Sequence, residues 1–224
     1  MNRVGQVDDR IMVRRVLISV SDKGGLETLV PGLTAVEGLV IYSTGGTYER
    51  IREILGDQAQ GRLKQVSEYT GQPEMQGGLV KTLDYRIYLG ILSEPYNEAH
   101  EQDRRRLAAD AIDMVVVNLY PFRSVSSRAG ADAEDARANI DIGGPCMLRA
   151  AAKNYLRVAA VCDPSDYRRV VDELEHSGGA TLLESRLRLA QKAFGHTAQY
   201  DRAIADYLCD RSPGDALAPY EVIR

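Results

Sequence analysis

The stretch Met114-Val115-Val116-Val117-Asn118-Leu119 limits what this chain can fold into more than any other. A short, nearly continuous apolar run is a strand buried on both faces, and such strands belong to parallel sheets covered by helices on either side. Arg15-Val16-Leu17-Ile18-Ser19, Gly38-Leu39-Val40-Ile41-Tyr42 and Arg157-Val158-Ala159-Ala160-Val161 have the same character. Between the first two, Leu26, Leu29, Val30, Leu33 and Val36 recur at helical spacing, with Pro31 and Gly32 placed to kink or shorten the helix. Short helices are predicted over 134–139, 146–154 and 165–174, the last introduced by Asp163-Pro164. From 181 to 208 the positions Leu183, Leu187, Ala190, Phe194, Ala198 and Ile204 predict one or two long amphipathic helices. This βαβα order predicts an α/β domain with right-handed crossovers.

At 224 residues the chain accommodates one large domain with a sizeable core. Its 44% hydrophobic and 27% charged residues are ordinary for a globular protein, and a net charge of -4 gives no overall pull toward nucleic acid or anionic lipid. An anionic ligand must therefore be captured locally. The basic run Arg104-Arg105-Arg106 sits beside Glu101 and Asp103 and is expected to be a solvated helix face. Cys146, Cys162 and Cys209 are odd in number and widely spaced, which indicates neither a disulfide framework nor a zinc site. With no apolar run of about 18 residues and a polar start, a cytoplasmic location is expected.

Ligands of open parallel sheets bind beyond the carboxyl ends of the strands. Ser19-Val20-Ser21-Asp22-Lys23 follows the first strand, with Gly24-Gly25 allowing close backbone approach. Ser43-Thr44-Gly45-Gly46-Thr47 follows the second and opens a helix, where free N–H groups and the helix dipole favour an anion. Either loop alone reads equally as a helix cap or a turn; two of them after successive strands describe a phosphate cradle. Two further stretches are candidates: Gly77-Gly78-Leu79-Val80-Lys81-Thr82-Leu83, and Asn118 to Phe122 together with Ile140-Asp141-Ile142-Gly143-Gly144-Pro145. N–H groups at the helix start after Asp141 suit an oxyanion. The residues leave alternatives open here, with Asp141 also an ordinary helix-start residue, Tyr120 a core aromatic and Lys153 a solvated lysine.

Six strings, Ile18 to Lys23, Ser43 to Thr47, Val80 to Leu83, Val117 to Phe122, Asn139 to Pro145 and Leu148 to Asn154, resemble in order the IMP cyclohydrolase domain of the bifunctional formyltransferase/cyclohydrolase of purine biosynthesis. Lys192 to Asp201 continues the likeness, which covers residues 14–208 and leaves 1–13 and 209–224 as expected tails. The resemblance implies a methylglyoxal-synthase-like, three-layer α/β fold with a helical C-terminal extension. It also implies cofactor-free, metal-free ring closure of 5-formamidoimidazole-4-carboxamide ribotide to IMP. By matching position, Ser21, Lys23, Ser43, Thr44, Gly45, Gly46 and Thr47 would hold phosphate and ribose, and Thr82, Ile142, Gly143 and Gly144 would complete the substrate site. Lys81 and Lys153 would supply charge and proton transfer, with Asn118, Tyr120 and Asp141 orienting the reacting groups. The implied partners are the purine ribotide monophosphate, a second copy of the chain and a separate formyltransferase.

The chain departs from that family's pattern in one place. Where the family typically reads Gly-Arg-Val-Lys-Thr-Leu-His-Pro, it has Gly78-Leu79-Val80-Lys81-Thr82-Leu83-Asp84-Tyr85, and Tyr88 replaces a second histidine. Loss of the arginine removes a charged donor worth about 1.5–3 kcal/mol, unless Arg86 compensates. Asp84 brings a negative charge toward a site for an anion. A non-catalytic purine-nucleotide-binding regulatory domain is therefore the alternative function. Methylglyoxal synthase ranks third, because His100, His176 and His196 lie far from the phosphate loops in sequence, and His196 reads as a satisfied helix histidine.

Overall fold

A computed structural model of the chain describes residues 3–73, 75 and 80–223. Its first half runs β1 (Arg10–Met12), β2 (Arg15–Val20), α1 (Leu26–Thr34), β3 (Val40–Ser43), α2 (Gly45–Leu55), β4 (Leu63–Gln65), α3 (Val66–Thr70), α4 (Tyr85–Leu92) and α5 (Glu98–Arg106). The second half runs β5 (Met114–Asn118), α6 (Phe122–Ser126), α7 (Ala133–Ala138), α8 (Gly143–Lys153), β6 (Ala159–Val161), α9 (Tyr167–His176), β7 (Ala180–Leu182), α10 (Leu183–Cys209) and α11 (Pro213–Leu217).

Five parallel strands form the main sheet in the order β4-β3-β2-β5-β6. The chain winds outward from β2 to β3 and β4, then returns to β5 and continues to β6 on the other side. Connections leave β2 and β5 in opposite directions, which opens a crevice at their carboxyl ends. The register pairs Val16 with Met114, Ile18 with Val116 and Val20 with Asn118. Alternation along the strands then fills both faces: Val16, Ile18 and Val116 pack with α1 and α9, while Leu17, Val115 and Val117 pack with α4, α8 and α10. The result is a three-layer α/β/α domain, as the apolar runs predict. Each fully buried aliphatic side chain contributes about 1.5–3 kcal/mol relative to exposure.

Several predicted elements gain definition. The 181–208 segment is one helix of 27 residues preceded by β7, and α1 continues through Pro31. The edge strand β4 and helix α5 escape the apolar pattern, since β4 buries only Leu63 and α5 has no buried residue. Arg104, Arg105 and Arg106 on α5 pair with Glu101 and Asp103, the solvated face expected of them.

Within the expected N-terminal tail, residues 8–12 are joined to the body. Arg10–Met12 pairs antiparallel with Ala180–Leu182, and Arg186, fully buried, donates to the carbonyls of Asp8, Asp9, Tyr155, Leu156 and Thr181. A buried guanidinium holds its position when its donors meet fixed acceptors; here it binds the N-terminal segment to the body. Beyond Cys209, the short α11 is exposed.

Candidate functional site

A cavity of about 510 Å³ opens at the carboxyl ends of β2, β3 and β5, within the size range of small-molecule sites. Five chain segments wall it: Ser19 to Lys23, Thr44 to Thr47, Val80 to Leu83, Val117 to Tyr120, and Ala138 to Gly144 with Met147. The charged residues of its lining are Lys23, Lys81 and Asp141.

The wall beyond β2 and β3 is built around the first turn of α2. Gly45 has φ +47°, a left-handed conformation that admits glycine without strain and turns the chain abruptly from strand to helix. Thr44, at the N-cap, makes no capping bond, and the first turn carries no acidic residue. The positive end of the helix is therefore directed into the cavity. Both lysines crowd this turn: a Cβ on Gly45 would lie 3.7 Å from Lys81 Nζ, and one on Gly46 would lie 3.6 Å from Lys23 Cε. Ser19 and Thr44 share a hydroxyl–hydroxyl bond of 3.1 Å. Two ammonium groups, two hydroxyls and unsatisfied backbone donors make this end suited to a phosphate.

Ser43 does not belong to it. Its side chain is fully buried and donates to the Ile18 carbonyl at 2.7 Å, so it joins β3 to β2. Thr47 faces the cavity, but its hydroxyl accepts from Val20 N–H and donates to Val20 C=O, at 3.1 and 3.0 Å. Asn118 is similarly occupied. Its Oδ1 accepts from the N–H groups of Ser21 and Asp22 at 2.7 and 2.9 Å, and its Nδ2 donates to Asp22 C=O at 2.7 Å. It shapes the loop after β2 across the crevice from β5.

The opposite wall holds Lys81 and Asp141. Val80, β-branched, has φ +51°, a conformation costly for such a residue, and a turn closes behind it through Leu83 N–H to Val80 C=O. Gly143 and Gly144 allow this wall to close up: a Cβ on Gly143 would meet Thr82 Oγ1 at 2.7 Å, and one on Gly144 would meet Asp141 Oδ2 at 2.5 Å. Asp141 Oδ1 accepts from Gly144 N–H at 2.8 Å. Burial raises the Asp141 carboxyl above the ordinary range, against the opposing pull of the Gly144 and Tyr120 backbone and the Lys81 ammonium. Tyr120 and Ile142, 41% and 61% exposed, flank the mouth.

Two residues lie elsewhere. Lys153 ends α8, exposed and outside the cavity, about 15 Å along the helix from Gly143 at 1.5 Å per residue. Arg86 donates to the Tyr69 carbonyl at 2.9 Å and is absent from the lining, so it does not replace the missing arginine. Asp84 lies outside the cavity lining, and its carboxylate caps α4 by accepting from Arg86 N–H at 2.8 Å. Gly77, Gly78 and Leu79 lie outside the described residues. Among the described residues no His, Cys, Asp and Glu cluster could hold a metal.

Sequence reasoning assigned Tyr200 no role, although it stands within the Lys192 to Asp201 string. Its hydroxyl contacts the segment carrying Asp141 from 59 residues away, a contact that no local pattern announces.

The MGS-like domain family model matches residues 25–146, which hold three of the five strands of this parallel sheet and most of the crevice; the chain belongs to that family. The AICARFT/IMPCHase bienzyme family matches residues 151–222, and together the two matches place the chain with the IMP cyclohydrolase part of the bifunctional purine biosynthesis protein PurH. PurH of Rhodopirellula baltica is 47% identical over 211 residues, 94% of this chain and 38% of that protein. PurH of Enterococcus faecalis is 48% identical over 197 residues, 88% of this chain and 37% of that protein. The chain thus spans well under half the length of these relatives. A solved structure titled "Crystal structure of ForH" superposes with a TM-score of 0.74 at 33% identity, covering 88% of this chain and 99% of that one. Among the described residues no helix is long and apolar enough to cross a membrane.

Proposed function

We propose that the chain is an IMP cyclohydrolase that closes 5-formamidoimidazole-4-carboxamide ribotide to IMP, working without a cofactor in the cytoplasm. The observation that carries this reading is the placement of Lys81, which lies against the α2 N-terminus on one side and within the field of Asp141 on the other. The phosphate would sit at the first turn of α2 with Lys23, Ser21, Thr44 and Gly46, and Thr82, Gly143 and Gly144 would border the reacting end.

In ring closure the carboxamide nitrogen adds to the formyl carbon, one amide proton leaves, and the formyl oxygen gains a proton to give a carbinolamine. The proton on the formamido nitrogen and the new hydroxyl then depart as water, leaving the former carboxamide nitrogen as the N–H of the new ring. Lys81 would stabilise charge on the formyl oxygen, and Asp141, its carboxyl lifted toward neutrality by burial, would receive the amide proton. Tyr120 would orient the base at the mouth, and Asn118 would act through the Ser21–Asp22 loop.

The purified chain, given the formylated ribotide and no folate, should release IMP. Tight binding of IMP with no turnover would instead support the regulatory domain, which one observation favours: no arginine lines the cavity among the described residues. Equal affinity for inosine and IMP would remove the phosphate site from both. A homodimer is part of the proposal, through the exposed stripe of Leu187, Phe194 and Leu208 on α10, with light scattering as its test. A separate formyltransferase would supply the substrate.

A further inference from the structure

We propose that Tyr200, on α10, is a positioning residue that holds Asp141 in its working orientation through two hydrogen bonds to one short segment. The phenol oxygen accepts from the N–H of Asp141 at 2.9 Å and donates to the C=O of Asn139 at 3.0 Å. This rests on the assignment of Asp141 to ring closure.

The segment from Asn139 to Ile142 links α7 to α8. Its other hydrogen bonds are local: Asn139 and Ile140 N–H groups turn back onto Ala136 and Arg137, and Ile142 C=O accepts from Cys146. These bonds shape the turn, and the Tyr120 backbone reaches only the Asp141 carboxylate. Tyr200 supplies the long-range tether of the segment's main chain. Its ring meets the buried Phe122 edge-on, with centroids 6.2 Å apart, so the core sets where the hydroxyl lies. A phenol donates and accepts at once, which the pair of backbone groups two residues apart requires; phenylalanine keeps the ring and does neither. Burial raises the Tyr200 pKa, so the proton needed for donation stays in place at neutral pH. The Gly144 N–H then completes the hold on the carboxylate itself.

The neighbouring Tyr207 provides the control. It packs edge-on against the same Phe122 at 5.7 Å, yet its hydroxyl reaches only the Asp132 carbonyl, at 3.4 Å, away from Asp141. Tyr200→Phe and Tyr207→Phe should be compared in turnover and in the titration of the Asp141 carboxyl, followed by carbon NMR and assigned with Asp141→Asn. Tyr200→Phe should lower kcat about tenfold with KM changed less than about threefold, as for a small misplacement of a reacting group. Its Asp141 midpoint should fall toward the ordinary carboxylate value as the segment opens to water. Tyr207→Phe should change neither.

An unchanged midpoint and kcat in Tyr200→Phe, or equal effects in both variants, would overturn the proposal. If the wild-type chain proves inactive in ring closure, the functional reading fails, while the Asp141 midpoint still decides the positioning claim. Should Tyr200→Phe fold poorly, the wild-type chain labelled with 3-fluorotyrosine gives the answer. The fluorine resonance of Tyr200 should follow the Asp141 titration and lose that step in Asp141→Asn; a resonance indifferent to Asp141 would overturn the claim.

Discussion

The two ends of the central sheet treat charge in opposite ways. At the amino end, Asp113 accepts from the N–H groups of Arg14 and Arg15 and pairs with Arg157 at 3.1 Å, while Arg157 also donates to the carbonyls of Ser93, Gly90 and Ile91. The charged groups of Asp113 and Arg157 are directed at the protein itself. At the carboxyl end, Lys23, Lys81, Asp141 and the first turn of α2 face a cavity. Buried charge that is fully partnered fixes a fold, whereas charge left facing open volume is available to a ligand.

Removing a partner at the closed end should produce the largest loss of stability. Arg157→Leu leaves Asp113 buried without its cation, and should cost about 3–5 kcal/mol in denaturant unfolding. Ligand affinity of the folded fraction should stay unchanged. At the open end the pattern reverses: Gly144→Ala would push a methyl group into Asp141 Oδ2 and Leu119, and should lower turnover on the order of 100-fold by displacing the carboxylate. A variant that turned over normally would show that this close approach is not needed.

Ser43→Ala sharpens the contrast, because Ser43 lies at the open end in sequence yet its hydroxyl is directed into the sheet. It should cost about 1 kcal/mol of stability and leave IMP affinity within about twofold. A large loss of affinity would return Ser43 to the phosphate site.

The smallest effect concerns His196, whose Nε2 is buried without a partner among the described residues, contrary to its expected satisfaction. Burial lowers its pKa below the usual 6.5, with Asp163 pulling it up and Lys192 down. The unfolded chain therefore binds more protons in the window just below that value, so this contribution to stability is present above pH 6.5 and fades as pH falls toward the folded pKa. His196→Gln should flatten the stability–pH slope below pH 6.5. An unaltered slope would place the titration elsewhere.

How much of this could be read from sequence follows the same division. Strands β2, β3 and β5 and the two loops beyond β2 and β3 declare themselves, because each is a run of neighbouring residues with one local role. Ser43 was misplaced for a local reason too: strand alternation sends its side chain inward while Thr44 and Thr47 face the cavity. Lys153 came from the likeness of the Leu148 to Asn154 string, yet the length of α8 carries it away from Gly143. The β1–β7 pair, the Arg186 bonds to Asp8 and Asp9 and the Tyr200 tether join segments 59 to 178 residues apart, and no local periodicity encodes such contacts.

The central claim is that Lys81, set between the α2 N-terminus and Asp141, serves the transition state. The most direct test is the steady-state rate of IMP formation by Lys81→Met beside wild type, with Lys153→Ala as the companion outside the cavity. Lys81→Met should lose about tenfold to a thousandfold in kcat while apparent substrate affinity changes less, and Lys153→Ala should stay within about twofold of wild type. Full turnover by Lys81→Met, or a loss confined to Lys153→Ala, would contradict the account.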